Sequence, residues 1–284
     1  GVHYLTIKDN VAYETMGHTY FIEDGIETKN LLQKNLAVKT KRSWSLLNTD
    51  QTPASFWITH PDNQFIDNHA GGSDRYGFWF DLQIHPGGPS FDPNICPEYE
   101  QLGEFSGNVA HSNGRYGLRF FHRFTPVTNP CKALANSKSK EQPDPSVNVP
   151  IDTHFRDYLG YKNKRTALIA EELGALKFHD IKAADNLLSG VEFGITQVGP
   201  WLNSNDDYHL QDALIVAASD NAEELQTNHG AVTTTRGLKG ARTEKMRVKD
   251  TIFANFDYDS RWGAIGTCSH CEGPDTDSSG RTYF

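Results

Sequence analysis

One sixteen-residue pattern is written three times in this chain. FIDNHAGGSDRYGFWF (65–80) and FSGNVAHSNGRYGLRF (105–120) share Phe65/Phe105, Ala70/Ala110, Gly77/Gly117 and Phe80/Phe120. FHDIKAADNLLSGVEF (178–193) repeats the spacing as Phe178, Ala183, Gly190 and Phe193. Relaxed to a large apolar residue with Ala or Gly five on, the pattern adds Ile7–Ala12, Leu32–Ala37 and Phe155–Gly160. Weaker copies start at Leu210 and Val248, and the first copy, closing on Gly17 and Tyr20, reads as two residues short. Eight starts separated by 23 to 50 residues confine the chain to a solenoid, an array or a propeller.

Local chemistry chooses among these. HTYFI, ASFWI, YGFWF, YGLRF, ALIVAA and TIFANF are short, alternating and rich in β-branched or aromatic residues, with Asn, Gly and Asp between them. That is strand and turn chemistry. LLQKNLAVKTK and KRTALIAEELGALKF also carry helical spacing, but a helical array needs long periodic helices throughout. A propeller needs four strands per repeat, and most repeats here have room for two or three. The expectation is an all-β parallel β-helix of about eight coils, one coil per repeat, with rungs about 4.8 Å apart. Ala and Gly then mark places without room for a larger side chain. Asn10, Asn35, Asn68 and Asn108 fall at matching turns, where amides can stack in a ladder.

Coil length varies through extra residues at 81–104, 121–154 and 194–209, with a related excursion at 39–55. Stacked strands should bring such insertions out along one side, where solenoids often carry their binding surface. With 27 basic against 36 acidic residues, net −9, there is no basic footprint for nucleic acid or an anionic membrane. No run approaches the length of a membrane span. The chain opens on a strand-like VHYLTI without a cap, so the first rung is expected to stack on preceding coils of a longer parent.

GHTYFIEDGIETKNLLQKNLAVKTKRSWSLLNTDQTPASFWITHPDN, followed by NHAGGSDRYGFWF, HPGGPSFDPNIC and LKFHD, closely resembles the fibrocystin-like family. The likeness runs through nearly the whole chain, including the positions of Cys96 and Cys131. GHTYFIEDGIE, FWITHPDN and GFW are more distantly similar to the cell-migration-inducing and transmembrane hyaluronidases. Both groups carry this region as a right-handed, single-stranded parallel β-helix in a long extracellular protein. The resemblance therefore implies a secreted or cell-surface ectodomain segment with oxidised cysteines. It leaves two functions: a structural or glycan-binding rod, or a glycosidase acting on a hyaluronan-like polysaccharide. With the cysteines oxidised, Cys96 is expected to bond to Cys131 across two insertions, and Cys268 to Cys271 in a tight loop.

Alternation in the strand after each glycine turns Phe78/Phe80, Leu118/Phe120 and Val191/Phe193 inward and Trp79, Arg119 and Glu192 outward. Trp79 and Arg119 on neighbouring rungs, with Asp81 beside them, make a candidate sugar-binding strip, with Glu192 further along it. The alternative is that the 81–104 insertion covers Trp79. Were the chain a glycosidase, Glu23, Asp24 and Asp81 would be the candidate carboxylates, since glycoside cleavage needs a pair about 5–9.5 Å apart. Glu23 and Asp24 point to opposite faces, and Asp24 before Gly25 reads better as a turn cap. Asn48-Thr49-Asp50, Asp206-Asp207, His229-Gly230 and Arg247-Val248-Lys249 imitate the order of pectinase motifs, but five coil starts separate Asp50 from Asp206. No metal site or cofactor is expected: a lone CxxC lacks the second pair a structural zinc needs. His18, His60, His69, His111 and His179 read as packed or capping residues.

Overall fold

The computed structural model describes residues 1–46, 48–132, 135–137, 140–196, 208–222, 236–241, 246–256, 263–266 and 282–283. All eight repeat starts lie in one column: Ile7, Leu32, Phe65, Phe105, Phe155, Phe178, Leu210 and Val248 are successive partners in a nine-stranded parallel sheet. The residues five on, from Ala12 and Ala37 to Ile215 and Phe253, stack in a second sheet of eight strands. Phe56, Phe78, Leu118, Leu168, Val191 and Leu238 form a column of the third sheet, also of eight strands. The chain passes from first to second to third sheet eight times, as a right-handed parallel β-helix. The two segments with helical spacing are strands, Leu31–Gln33 and Leu36–Val38 in one, Thr166–Leu173 and Leu176–His179 in the other.

The first copy is not short. Tyr20 pairs with Phe56, in the column of Phe78 rather than Phe80, and the buried Ile22 takes the Phe80 place, fifteen residues after Ile7. Thr19, not Gly17, then stands where the three full copies have Gly77, Gly117 and Gly190.

The interior is a stack of rings. Phe65, Phe80, Phe105, Phe120, Phe155, Phe178 and Phe193 are at most 1% exposed, and Phe80–Phe120 and Phe155–Phe178 stack at 4.8 and 5.1 Å. The Ala–Gly pairing within each repeat has a steric cause. A Cβ on Gly77 would come 2.8 Å from the Ala110 Cβ and 2.5 Å from the Gly117 carbonyl oxygen, so the second and third sheets approach too closely for anything larger.

Each coil makes its first turn through a single left-handed residue, and all but the seventh do so again at the second turn. Asp9, Lys34, Asp67, Asp157, Asp180, Asp212 and Asp250 hold φ between 47° and 57° at the first turn, with Gly107 at 66°, the region that short polar residues such as Asp tolerate best. The next residue starts the amide ladder. Asn10, Asn35 and Asn68 each donate Nδ2–H to Oδ1 of Asn35, Asn68 and Asn108 respectively, at 3.0 to 3.2 Å. A second ladder joins Asn113, Asn163 and Asn186. The Asn68 Oδ1 also accepts the Asn35 backbone N–H, and its Nδ2–H donates to the Leu32 carbonyl. Asn68→Ala orphans these buried backbone groups, so a loss of about 2 kcal/mol is expected in denaturant unfolding; an unchanged midpoint would mean the ladder carries no stability.

The insertions leave from two corners. Residues 82–103 and 125–152 connect the third sheet to the first, whereas 39–53 connects the second sheet to the third, so the 39–55 excursion does not share a side with the others. The strand Tyr116–Phe124 runs past 121, so that insertion begins after Phe124. Cys96 and Cys131 form a disulfide between the two long insertions, with Cα atoms 5.5 Å apart, packed on Tyr99 and Val127. Beneath it the buried Arg123 donates Nη1–H to the Tyr99 hydroxyl and holds the Glu172 carboxylate through Nε and Nη2. Cys268, Cys271 and residues 197–207 lie outside the described residues.

Candidate functional site

On the outer face of the third sheet the register aligns Phe21, Trp57, Trp79, Arg119, Ile169, Glu192 and Lys239 in one column. Arg119 is its centre. The guanidinium carbon lies 4.3 Å from the Phe121 ring, 5.1 Å from Tyr76 and Trp79, and 5.7 Å from Tyr116. Its Nη1–H reaches the Tyr76 hydroxyl at 3.1 Å and its Nη2–H the Glu171 carboxylate at 2.8 Å. Guanidinium against ring faces is worth about 0.5–2 kcal/mol per contact, increasing as water is excluded.

The predicted strip is only partly drawn together. Trp79 and Arg119 are adjacent, and Asp81 follows two residues along the same strand. Glu192 is two rungs beyond Arg119, with Ile169 between, and pairs with Lys239. Trp79 is 4% exposed, with Tyr76, Phe121, Trp57 and His18 packed around it. Its indole N–H and that of Trp57 are buried without an acceptor. Asp81 is buried beside Phe121; burial pushes its carboxyl up to about 6, against the pull of the Gln83 amide and Arg119.

Other residues join this face without having been singled out for it. The His18 ring lies 4.3 Å from Trp57, its Nδ1 accepts the Ala54 N–H, and its Nε2 points at Asp50 from 3.6 Å. Asp50 therefore lies beside the aromatic column, inside the 39–53 excursion. The same excursion presents Trp44, 81% exposed, with the Arg42 guanidinium 5.1 Å from its ring. Phe21 extends the column into solvent. The signal for Trp44 was an Arg-x-Trp in a polar excursion.

The first-coil carboxylates are apart from the strip. Glu23 is exposed, Asp24 accepts from the Ser90 hydroxyl, and the buried Glu27 accepts the Gly25 N–H, where φ is 90°. Asp24 ties this turn to the 82–103 insertion through Ser90, and Glu27 closes the turn itself.

Buried imidazoles make the molecule acid-sensitive. Burial lowers His18 and His60 to about 4, and in both the Nδ1 already accepts a backbone N–H, from Ala54 and Asp62. The folded state thus binds fewer protons than the unfolded one. Stability is full above pH 6.5 and falls as pH drops towards 4, with His60 alone contributing about 2 kcal/mol of the loss at pH 5. Asp81 has the opposite sign, its carboxylate costing stability as pH rises through 6. Denaturant midpoints at pH 7 and 5 should show the fall, reduced in His60→Asn; a flat profile would contradict the burial assignment.

The CEMIP beta-helix family matches residues 1–118. Fibrocystin-L of Mus musculus is 36% identical over 259 residues, 90% of this chain and 6% of that protein. Cell surface hyaluronidase CEMIP2 of Homo sapiens is 30% identical over 234 residues, 70% of this chain and 16% of the relative. The human cell migration-inducing and hyaluronan-binding protein is 32% identical over 243 residues, 75% of this chain and 17% of its own length. The chain thus spans a small fraction of each.

Proposed function

We propose that this chain, which belongs to the fibrocystin-like family of parallel β-helix proteins, is a non-catalytic rod that binds glycan along the outer face of its third sheet. The observation that carries the reading is the pair of exposed rings Phe21, at 47%, and Trp44, at 81%, the first continuing the column of the buried Trp57 and Trp79. Pyranose rings stack their apolar faces on such exposed aromatic rings. Trp44 with Arg42, on the excursion that carries Asp50, is the exposed platform at which a chain would first dock. Two relatives have names that mention hyaluronan binding or hyaluronidase, which makes an acidic extracellular polysaccharide the first ligand to try. Placement in a secreted or surface ectodomain belongs to the same reading, and the Cys96–Cys131 disulfide supports it, since such bonds persist in oxidising compartments.

A catalytic role for Glu23, Asp24 and Asp81 finds less support. Asp24 is engaged by Ser90, and Asp81, the one carboxyl held near 6, is buried against Phe121 with Arg119 already committed to Glu171. Binding of labelled hyaluronan and other glycans to the chain tests the proposal. Trp44→Ala should weaken retention by about tenfold, the loss of roughly one stacked ring at 1.4 kcal/mol. Retention equal in wild type and Trp44→Ala, or none for any glycan, would reject the site.

A further inference from the structure

The outer face of the first sheet carries a second cluster, unrelated to the aromatic column. His154 lies in the strand Thr153–Arg156, and His179 ends Leu176–His179 one rung on. Arg156 stands opposite His179 and His154 opposite Lys177, so the two imidazoles meet diagonally across the rungs. His154 Nδ1 is 2.8 Å from His179 Nε2, the rings 5.0 Å apart and inclined by 30°. The Tyr208 hydroxyl is 3.2 Å from the same His179 Nε2. Three donor atoms of ligand type therefore converge on one small volume, all partly accessible.

Arg156, Asp152 and Lys177 face His154, and Arg156, Asp180 and Asp212 face His179. A neutral imidazole keeps one nitrogen lone pair. With its proton on the far nitrogen, each ring offers that lone pair to an ion set beside the line joining the two nitrogens. The spacing selects the ion. Nitrogens 2.8 Å apart, each about 2.0–2.1 Å from one ion, subtend roughly 85–90° there, well below the tetrahedral angle that zinc prefers. A right angle is the cis angle of tetragonal Cu²⁺ or Ni²⁺.

We propose that His154, His179 and Tyr208 form a binding site for a divalent transition ion with tetragonal preference, Cu²⁺ above all, on the outer face of the first sheet. Among the described residues no three His, Cys, Asp or Glu converge elsewhere, and this site itself has only two imidazoles and a phenol. It is an accessible, exchangeable site, not a structural one. His154 also lines a groove of about 260 Å³ shared with Glu104, Ser106, Asp152 and Arg156, so the open coordination positions adjoin a space where water or an oxygen ligand fits.

Titrating Cu²⁺ into the whole chain, followed by electron paramagnetic resonance and calorimetry, tests the assignment. The first equivalent should show a tetragonal signal with two equatorial imidazole nitrogens. His179→Ala and His154→Ala should each weaken that equivalent by about 100-fold, the upper end for groups that support a metal centre. Tyr208→Phe should keep the two-nitrogen signal. The wild-type spectrum decides the matter even if a histidine variant does not fold. A first equivalent without two nitrogens, affinity unchanged in both histidine variants, or Zn²⁺ held more tightly than Cu²⁺ would overturn the site.

Discussion

Replacing Phe120 with alanine should cost about 3–5 kcal/mol, the range for emptying the place of a fully buried aromatic side chain. Phe120 is 0% exposed and stands mid-column. It stacks on Phe80 at 4.8 Å, meets Phe155 edge-on at 4.9 Å and reaches Phe178 at 5.9 Å. The rungs above and below are held in parallel register by their backbone hydrogen bonds, so neighbours cannot collapse into the space without breaking the ladder. The full transfer and cavity terms should therefore appear in the denaturant midpoint. A loss below about 0.5 kcal/mol, the size of a surface substitution, would show that the inward column is wrongly drawn.

Cys131→Ser should cost nearly as much. The Cys96–Cys131 bond spans a sequence separation of 35, and removing a closure of that length frees about 4 kcal/mol of unfolded-state entropy in the chain-entropy model. The bond also pins the 82–103 and 125–152 insertions over Arg123 and Tyr99. Reduction should therefore raise hydrogen exchange in both insertions while the sheets keep their protection. Wild type in reductant should match the serine variant in oxidant. Free thiols at both 96 and 131 in non-reducing peptide maps would contradict the bond and, with it, the oxidising compartment.

The coil register was legible because interior columns restrict sequence most. A ring stack admits Phe and little else at 65, 105, 155 and 178, and the close approach of two sheets admits only small residues at 70, 77, 110 and 117. The same logic explains the misreading of the first copy, where Gly17 is a turn with φ 80° and imitates the column glycine taken over by Thr19. Which corner releases the 39–53 excursion depends on the length of the strand before it, and no interior column records that. Outward residues leave the weakest trace. Trp79, Arg119 and Asp81 could be put on one strip by parity alone, but the cage of Tyr76, Tyr116 and Phe121 around Arg119 draws on side chains bending over from neighbouring positions. His179 reads in the sequence as packed or capping, and its meeting with His154 needs a diagonal between rungs that alternation does not predict.

The most direct test of a rod that holds glycan without cutting it is to incubate the chain with hyaluronan of defined length and measure both retention and product size. The proposal predicts that the polymer is retained and recovered at its starting length, with retention reduced in Trp44→Ala. Shortened hyaluronan produced by the wild-type chain, and abolished in Asp81→Asn, would contradict it and make this face a catalytic one.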